Sequence, residues 1–146
     1  MSKADLITLL SGGIVGNNLK VDGVAPKFSV ELWEPPLTLF KKYLLNGACE
    51  VLFTVKRDRV ACRRVLQRVP HTLEGFYVVD VWVLDKLNTS QARCDALREA
   101  AVLEVQRVFK VNPQTATLVE CRDDDHTVNA AKIYNTAFVV RQRVYQ

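Results

Sequence analysis

The stretch "GFYVVDVWVLD", Gly75 to Asp85, limits the possible folds more than any other part of the chain. It is β-branched and aromatic nearly throughout, which predicts a strand. Side chains alternate across a strand, so Tyr77, Val79, Val81 and Val83 fall on one face. Phe76, Val78, Trp82 and Leu84 fall on the other, together with Asp80. A half-solvated sheet would show apolar residues on one face only. Here both faces are apolar, so the strand needs cover on both sides, from its own chain or from a neighbouring subunit.

The clearest candidate for one cover is "SQARCDALREAAVLEVQRVFKV". Its Ala, Leu, Glu and Arg content predicts a long helix over about residues 89–110. Leu97, Ala101, Val105, Val108 and Phe109 form its apolar stripe, and Asn112–Pro113 ends it. A second, short helix is expected over residues 2–10, capped by Ser2 with Asp5 at the capping-box position. Leu6, Leu9 and Leu10 give it an apolar side, and "SGGIVGNN" is expected to break it. The run from Gly12 to Asp22 then reads as a surface loop.

The other segments read as strands and short connections. "FSVELWE", Phe28 to Glu34, alternates and predicts a half-buried strand ended by Pro35–Pro36. Leu37, Phe40 and Leu44 fit one helical face between Pro36 and Asn46–Gly47, though Asn-Gly is also a hairpin signal. A short helix or extended arm before a strand at Glu50–Val55 is the favoured reading. "TATLVEC" predicts a strand, "RDDDH" a turn or loop, and "TAFVVRQRVYQ" a closing strand. In that last strand Phe138, Val140 and Val144 oppose Arg141, Arg143 and Tyr145. Strands and helices do not alternate regularly, which argues against a doubly wound sheet. The expected class is α+β: an antiparallel or mixed sheet with the long helix packed on it, in a single domain over residues 1–146.

Charge is distributed unevenly. The whole chain carries a net +4, yet "KRDRVACRRVLQR" alone has six basic residues against Asp58. The rest is therefore close to neutral, and Lys56, Arg57, Arg59, Arg63, Arg64 and Arg68 form a local strip. On a helical wheel Arg59, Arg63, Arg64 and Arg68 share one side, opposite Ala61, Cys62, Val65, Leu66 and Val69. As a strand, the basic residues split between faces. The amphipathic helix is the tidier local pattern; a long hairpin arm running into Gly75–Asp85 is the alternative. Stacking on single-stranded nucleic acid needs aromatic residues, and none lies between Phe53 and Phe76. A contact with protein, or a surface facing a lumen, is favoured over a solvated face or a nucleic-acid site.

The acidic run Asp123, Asp124 and Asp125, between Arg122 and His126, lacks the alternating ligands and the Gly of a calcium loop. It is expected to be an acidic loop able to meet the basic strip of a neighbouring copy. The two histidines, His71 and His126, belong to no catalytic motif. Asp80 and Asp85 are the remaining candidate carboxylate pair, with an Asp beside a subunit contact as the competing reading. The cysteines, Cys49, Cys62, Cys94 and Cys121, have no metal-ligand spacing and read as buried free thiols of a reducing compartment. The apolar runs are too short for a membrane span. "SKADLITLLSGG" has an internal Asp and too short an apolar core for a secretion signal. No catalytic residue, metal or cofactor is expected, and the chain reads as a non-enzyme.

The succession of a short N-terminal helix, an early strand, "FYVVDVWVLD", "SQARCDALREAAVLEVQRVF" and a final "TAFVVRQRVYQ" resembles the tail terminator (tail completion) proteins of long-tailed bacteriophages. "CRDDDH" before the last strand also resembles an acidic loop carried there by some members. The resemblance covers Phe76 to Gln146 best, the first half loosely, and rests on architecture and size. It implies a virion protein, assembled in the host cytoplasm, in which six copies form a ring that caps the tail tube. It implies tail tube protein as partner on one face and a head–tail connector or neck protein on the other. DNA would pass through the lumen without sequence recognition, and no membrane would be involved. The alternatives are another neck protein, or a small nucleic-acid-binding protein using Lys56–Arg68.

Overall fold

The computed structural model describes residues 3–16, 19–63, 72–85, 91–111, 117–128 and 131–145. In chain order these form α1 (Lys3–Gly16), β1 (Phe28–Leu32), α2 (Pro36–Leu39) and β2 (Val51–Arg63). Then follow β3 (Thr72–Asp85), α3 (Gln91–Val111), β4 (Thr117–Asp123), β5 (His126–Val128) and β6 (Ala131–Tyr145). The fold is α+β, as the sequence predicts. The strands make one mixed sheet in the order β1-β2-β3-β6-β4, with β5 also paired to β6. β1 runs parallel to β2, and every other pairing is antiparallel.

The two-faced strand is central. β3 pairs with β2 on one flank and with β6 along its whole length on the other. Tyr77, Val79, Val81 and Val83 join Val51, Phe53, Val55, Phe138 and Val140 in one core. The helical layer closes that core with Leu6 and Leu10 of α1 and with Leu97, Ala101, Val105, Val108 and Phe109 of α3. On the opposite face Trp82 and Leu84 join Leu52 and Ile133 under Leu39, Phe40 and Leu44. The second cover is therefore the segment after β1. α2 has Pro36 at its start and continues as a π-helical turn, Phe40–Leu44, until Gly47 adopts φ +77°. Phe40 meets the Trp82 ring edge-on, with centroids 5.4 Å apart.

The helical layer is shorter than the sheet. α3 has 21 residues, a rise of about 31 Å. β3 has 14 residues, a rise of about 46 Å. α3 begins beside the end of β3, where the Cys94 thiol approaches the Leu84 carbonyl, and runs back along the sheet.

Several local expectations change. α1 does not stop at Leu10 but continues through Gly12 to Gly16. Buried Leu6 and Leu10 anchor it against the core, which outweighs the low helix propensity of glycine. The stretch after it is not a surface loop throughout, because Leu19 and Val21 are buried in the same core. β2 extends from the expected Glu50–Val55 to Arg63, and β6 begins five residues before Thr136.

One buried side-chain hydrogen bond joins the neighbouring strands β2 and β3 on the face that carries Trp82. The Trp82 indole donates to Thr54 Oγ1 at 2.9 Å, and both residues are inaccessible to solvent or nearly so. Thr54→Val keeps the shape but leaves that N–H without its acceptor, so it is expected to cost about 1–3 kcal/mol in urea unfolding. Thr54→Ser keeps the acceptor and is expected to cost less. Equal losses for the two variants would show that the bond is not what matters.

Candidate functional site

The basic strip lies on a strand. Lys56, Arg57, Arg59 and Arg63 belong to β2, so the amphipathic helix is wrong for them. The helical pattern was local, whereas pairing with β3 supplies a whole ladder of backbone hydrogen bonds. Arg64 and Arg68 lie outside the described residues. The strip also fails to split as a regular strand would. The β2–β3 register shifts between Arg57 and Arg59, leaving Asp58 as a bulge. Lys56 pairs with Val78 and, beyond the bulge, Arg59 pairs with Phe76 and Arg63 with Thr72. Phe76, Val78 and Thr72 alternate along β3, so Lys56, Arg59 and Arg63 hold positions on one side of the ladder. Arg57, opposite Tyr77, holds a position on the other. β6 adds to the first side, since Arg141 pairs with Phe76 and Arg143 with Glu74. At the root of this surface the Lys56 ammonium lies 4.8 Å from the Trp33 ring centroid.

The acidic run is tied to its own chain more than expected. Asp123 ends β4, Asp124 and Asp125 form the connection, and His126 opens β5. The Asp124 N–H donates to the Asn135 carbonyl at 2.9 Å, so the connection stays on the β6 ladder. Arg98 of α3 reaches across to Asp123 Oδ1 at 2.8 Å and approaches Asp125 at 3.8 Å. The Thr136 hydroxyl donates to the same Asp123 oxygen at 2.7 Å. This hydroxyl, then Arg98, hold the Asp123 carboxyl below its ordinary value. Arg98 also lies over the Tyr134 ring, 5.2 Å from its centroid. Asp123 is thus engaged within the chain, although all three aspartates, Asp123, Asp124 and Asp125, are exposed. His126 packs against Phe40 and Trp82 and approaches Asp124 at 3.7 Å.

Asp80 is a buried acid, 5% exposed, on the same side of the sheet as Lys56. Asn135 of β6 donates from Nδ2 to Asp80 Oδ1 at 3.2 Å. Burial pushes the Asp80 carboxyl up; the Asn135 bond and the charges of Lys56, Arg122 and His126 oppose that shift. Asp80 and Asp85 are not a carboxylate pair. They stand five positions apart on one strand, on opposite sides and about 17 Å apart along it. Among the described residues no three His, Cys, Asp or Glu side chains converge to hold a metal ion. His71 lies outside the described residues.

Cys49 and Cys94 are buried, and burial raises the Cys49 thiol to about 11. Cys121 is exposed, contrary to expectation, because β4 is an edge strand. No helix among the described residues is long and apolar enough to cross a membrane.

The chain matches no known protein-family model, and no curated protein matches it.

Sequence reasoning missed three contributors: Arg98, Asn135 and the placement of Arg141 and Arg143, across β3, on the same side of the ladder as Lys56. Arg98 was hidden on the polar side of a helix, where a charge usually means solvent. The basic alternation "RQR" in the last strand was a usable signal for two further basic positions on one face of the sheet.

A carboxyl raised in the folded state binds its proton more tightly there. Stability then falls as pH rises from the unfolded value of about 3.9 through the folded one. Asp80→Asn keeps an oxygen for Asn135 and is neutral at every pH. The variant is expected to be more stable than the natural chain at pH 7, with the gain shrinking toward pH 4, as read by urea unfolding across that range. Lower stability at pH 7 would mean that Lys56 and Arg122 make the ionised carboxylate a net asset.

Proposed function

We propose that this chain is a structural, non-enzymatic virion protein that assembles as a homo-oligomeric ring at the end of a phage tail tube. In this reading the ring has six copies, joins the tube to the head–neck connector, and lets DNA through its lumen without reading sequence. The observation that carries the proposal is a sheet whose outer strands have no further strand paired to their outer sides among the described residues. β1 and β4 are the two outer strands, and each displays an exposed aliphatic side chain, Leu32 at 50% and Val119 at 52%. Open edges are surfaces that chains manage or pair. Two different edges on one chain suit a head-to-tail contact, which closes into a ring when the rotation between copies permits. The α+β order of elements agrees with the resemblance, and tail tube and neck proteins are the partners it implies.

A second reading, a small nucleic-acid-binding protein, draws support from one observation. The bulge at Asp58 puts Lys56, Arg59 and Arg63 on one side of the ladder with Arg141 and Arg143. The ring is favoured, because the aromatic residues described at this surface are taken up within the chain: Trp33 is engaged with Lys56, and Phe76 is buried.

Size-exclusion chromatography with light scattering, followed by negative-stain imaging, tests the ring. A single assembled species with a central hole is expected at micromolar to millimolar protein. A monomer throughout, or an assembly without a hole, contradicts the proposal.

A further inference from the structure

The two outer strands differ from the inner ones in what they leave open. None of the five residues of β1 is buried, although Val51–Val55 of β2 beside them all are. Trp33 donates its N–H to the Val55 carbonyl, and the Lys27 carbonyl accepts from Val51, so positions 27 and 33 face β2. Backbone groups alternate in direction along a strand, so the N–H and C=O of Phe28, Val30 and Leu32 point away from β2. At the other edge no described side chain of β4 is buried. Asp124 donates its N–H to Asn135 of β6, so by the same alternation the N–H and C=O of Cys121 and Asp123 point away from β6. The bulge between Leu118 and Glu120 blunts one end of this edge and leaves Glu120–Asp123 as its regular part.

We propose that β1 of one copy pairs antiparallel with β4 of the next, so that a single sheet continues from copy to copy. The pairing rests on the self-association reading above and names its interface. Strand direction favours it. β2 and β6 run with β1, whereas β3 and β4 run against it. A neighbour that keeps its helices on the same side of the sheet therefore brings its β4 to β1 in the antiparallel sense. The outward-pointing residues also agree in face. Leu32 pairs with Val55 and Cys121 with Phe138, and both partners belong to the core under the helices. Charge selects the register. Glu31 and Arg122 both lie on the opposite face, and neither has an ion-pair partner among the described residues. Placing Glu31 opposite Arg122 sets exposed Leu32 opposite Cys121, beside the shallow groove of about 280 Å³ between α3 and β4. The registers two residues to either side would set Glu31 against Glu120 or Asp124, and directly opposed like charges are destabilising. Because the two edges are different, the contact is head-to-tail, and each copy keeps one edge free for the next.

Cross-linking of the full-length chain tests this. Leu32→Cys sets a thiol opposite the natural Cys121 of the next copy, at a Cα separation of about 5.5 Å, within disulfide reach. Inside one copy the two edges are four strand spacings apart, about 19 Å, so this bond can only join copies. Mild oxidation is expected to give a ladder of species larger than the dimer on a non-reducing gel, and Cys121→Ser in the same chain is expected to abolish it. Leu32→Pro removes an outward N–H and no bond of the β1–β2 ladder. It is expected to stay folded by circular dichroism and to run as a monomer by light scattering. Glu31→Arg is expected to weaken assembly at least tenfold, and Arg122→Glu added to it to restore assembly; undiminished assembly of Glu31→Arg alone would overturn the register. If the natural chain assembles but Leu32→Cys gives no cross-link, or dimers and nothing larger, the interface is wrong and the ring reading stands. A folded Leu32→Pro chain that assembles normally has the same meaning, and if that variant does not fold the cross-link decides. If the natural chain never assembles, the ring reading falls and this interface falls with it.

Discussion

A strand that is apolar on both faces has to be buried from both sides, and β3 imposes that demand on the rest of this molecule. α1 and α3 meet it on one face through Val79, Val81 and Val83. The turn of helix after β1 meets it on the other through Trp82 and Leu84. The apparently ambiguous "LTLFKKYLL" segment has its role here. Leu39, Phe40 and Leu44 are wholly or almost wholly buried because β3 has a second face to cover. At about 25 cal/mol per Å² of apolar surface removed from water, neither layer is dispensable.

Among the described residues, the α2 segment covers this face only as far as Trp82. Beyond Trp82 the same face carries Asp80, Val78 and Phe76, which are buried without belonging to either core cluster. Lys56, Arg122 and Arg141 occupy neighbouring ladder positions around them. Long basic side chains cover apolar surface with their stems while keeping the charge at the boundary. That arrangement accounts for a buried carboxylate in an otherwise apolar row: three nearby cationic or ionisable groups offset part of its desolvation.

The major elements were legible because their signals were redundant. β3 combined composition with alternation, and α3 combined propensity, a stripe and a proline stop. The errors came where a local pattern competed with a partner distant in sequence. The basic strip fits a helical wheel, yet its backbone pairs with residues about 20 positions away. Gly12 and Gly13 argued for a break, yet α1 is held by contacts made by Leu6 and Leu10. The bulge at Asp58 had no local mark, and it alone decides whether the arginines share a side. The engagement of Asp123 by Arg98 joins positions 25 residues apart and was equally invisible.

Phasing, then, converts a charged stretch into a charged surface. A regular β2 would divide Lys56 from Arg59 and Arg63; one extra residue returns them to positions on one side of the ladder, the side that also holds positions 141 and 143. The nucleic-acid reading, the rival of the ring, depends on that phase. Cross-strand backbone NOEs on isotope-labelled protein measure it directly. The account predicts contacts of Tyr77 with Arg57 and of Phe76 with Arg59, with Asp58 unpaired between them. An unbroken ladder, with Phe76 facing Asp58 and Gly75 facing Arg59, would contradict it.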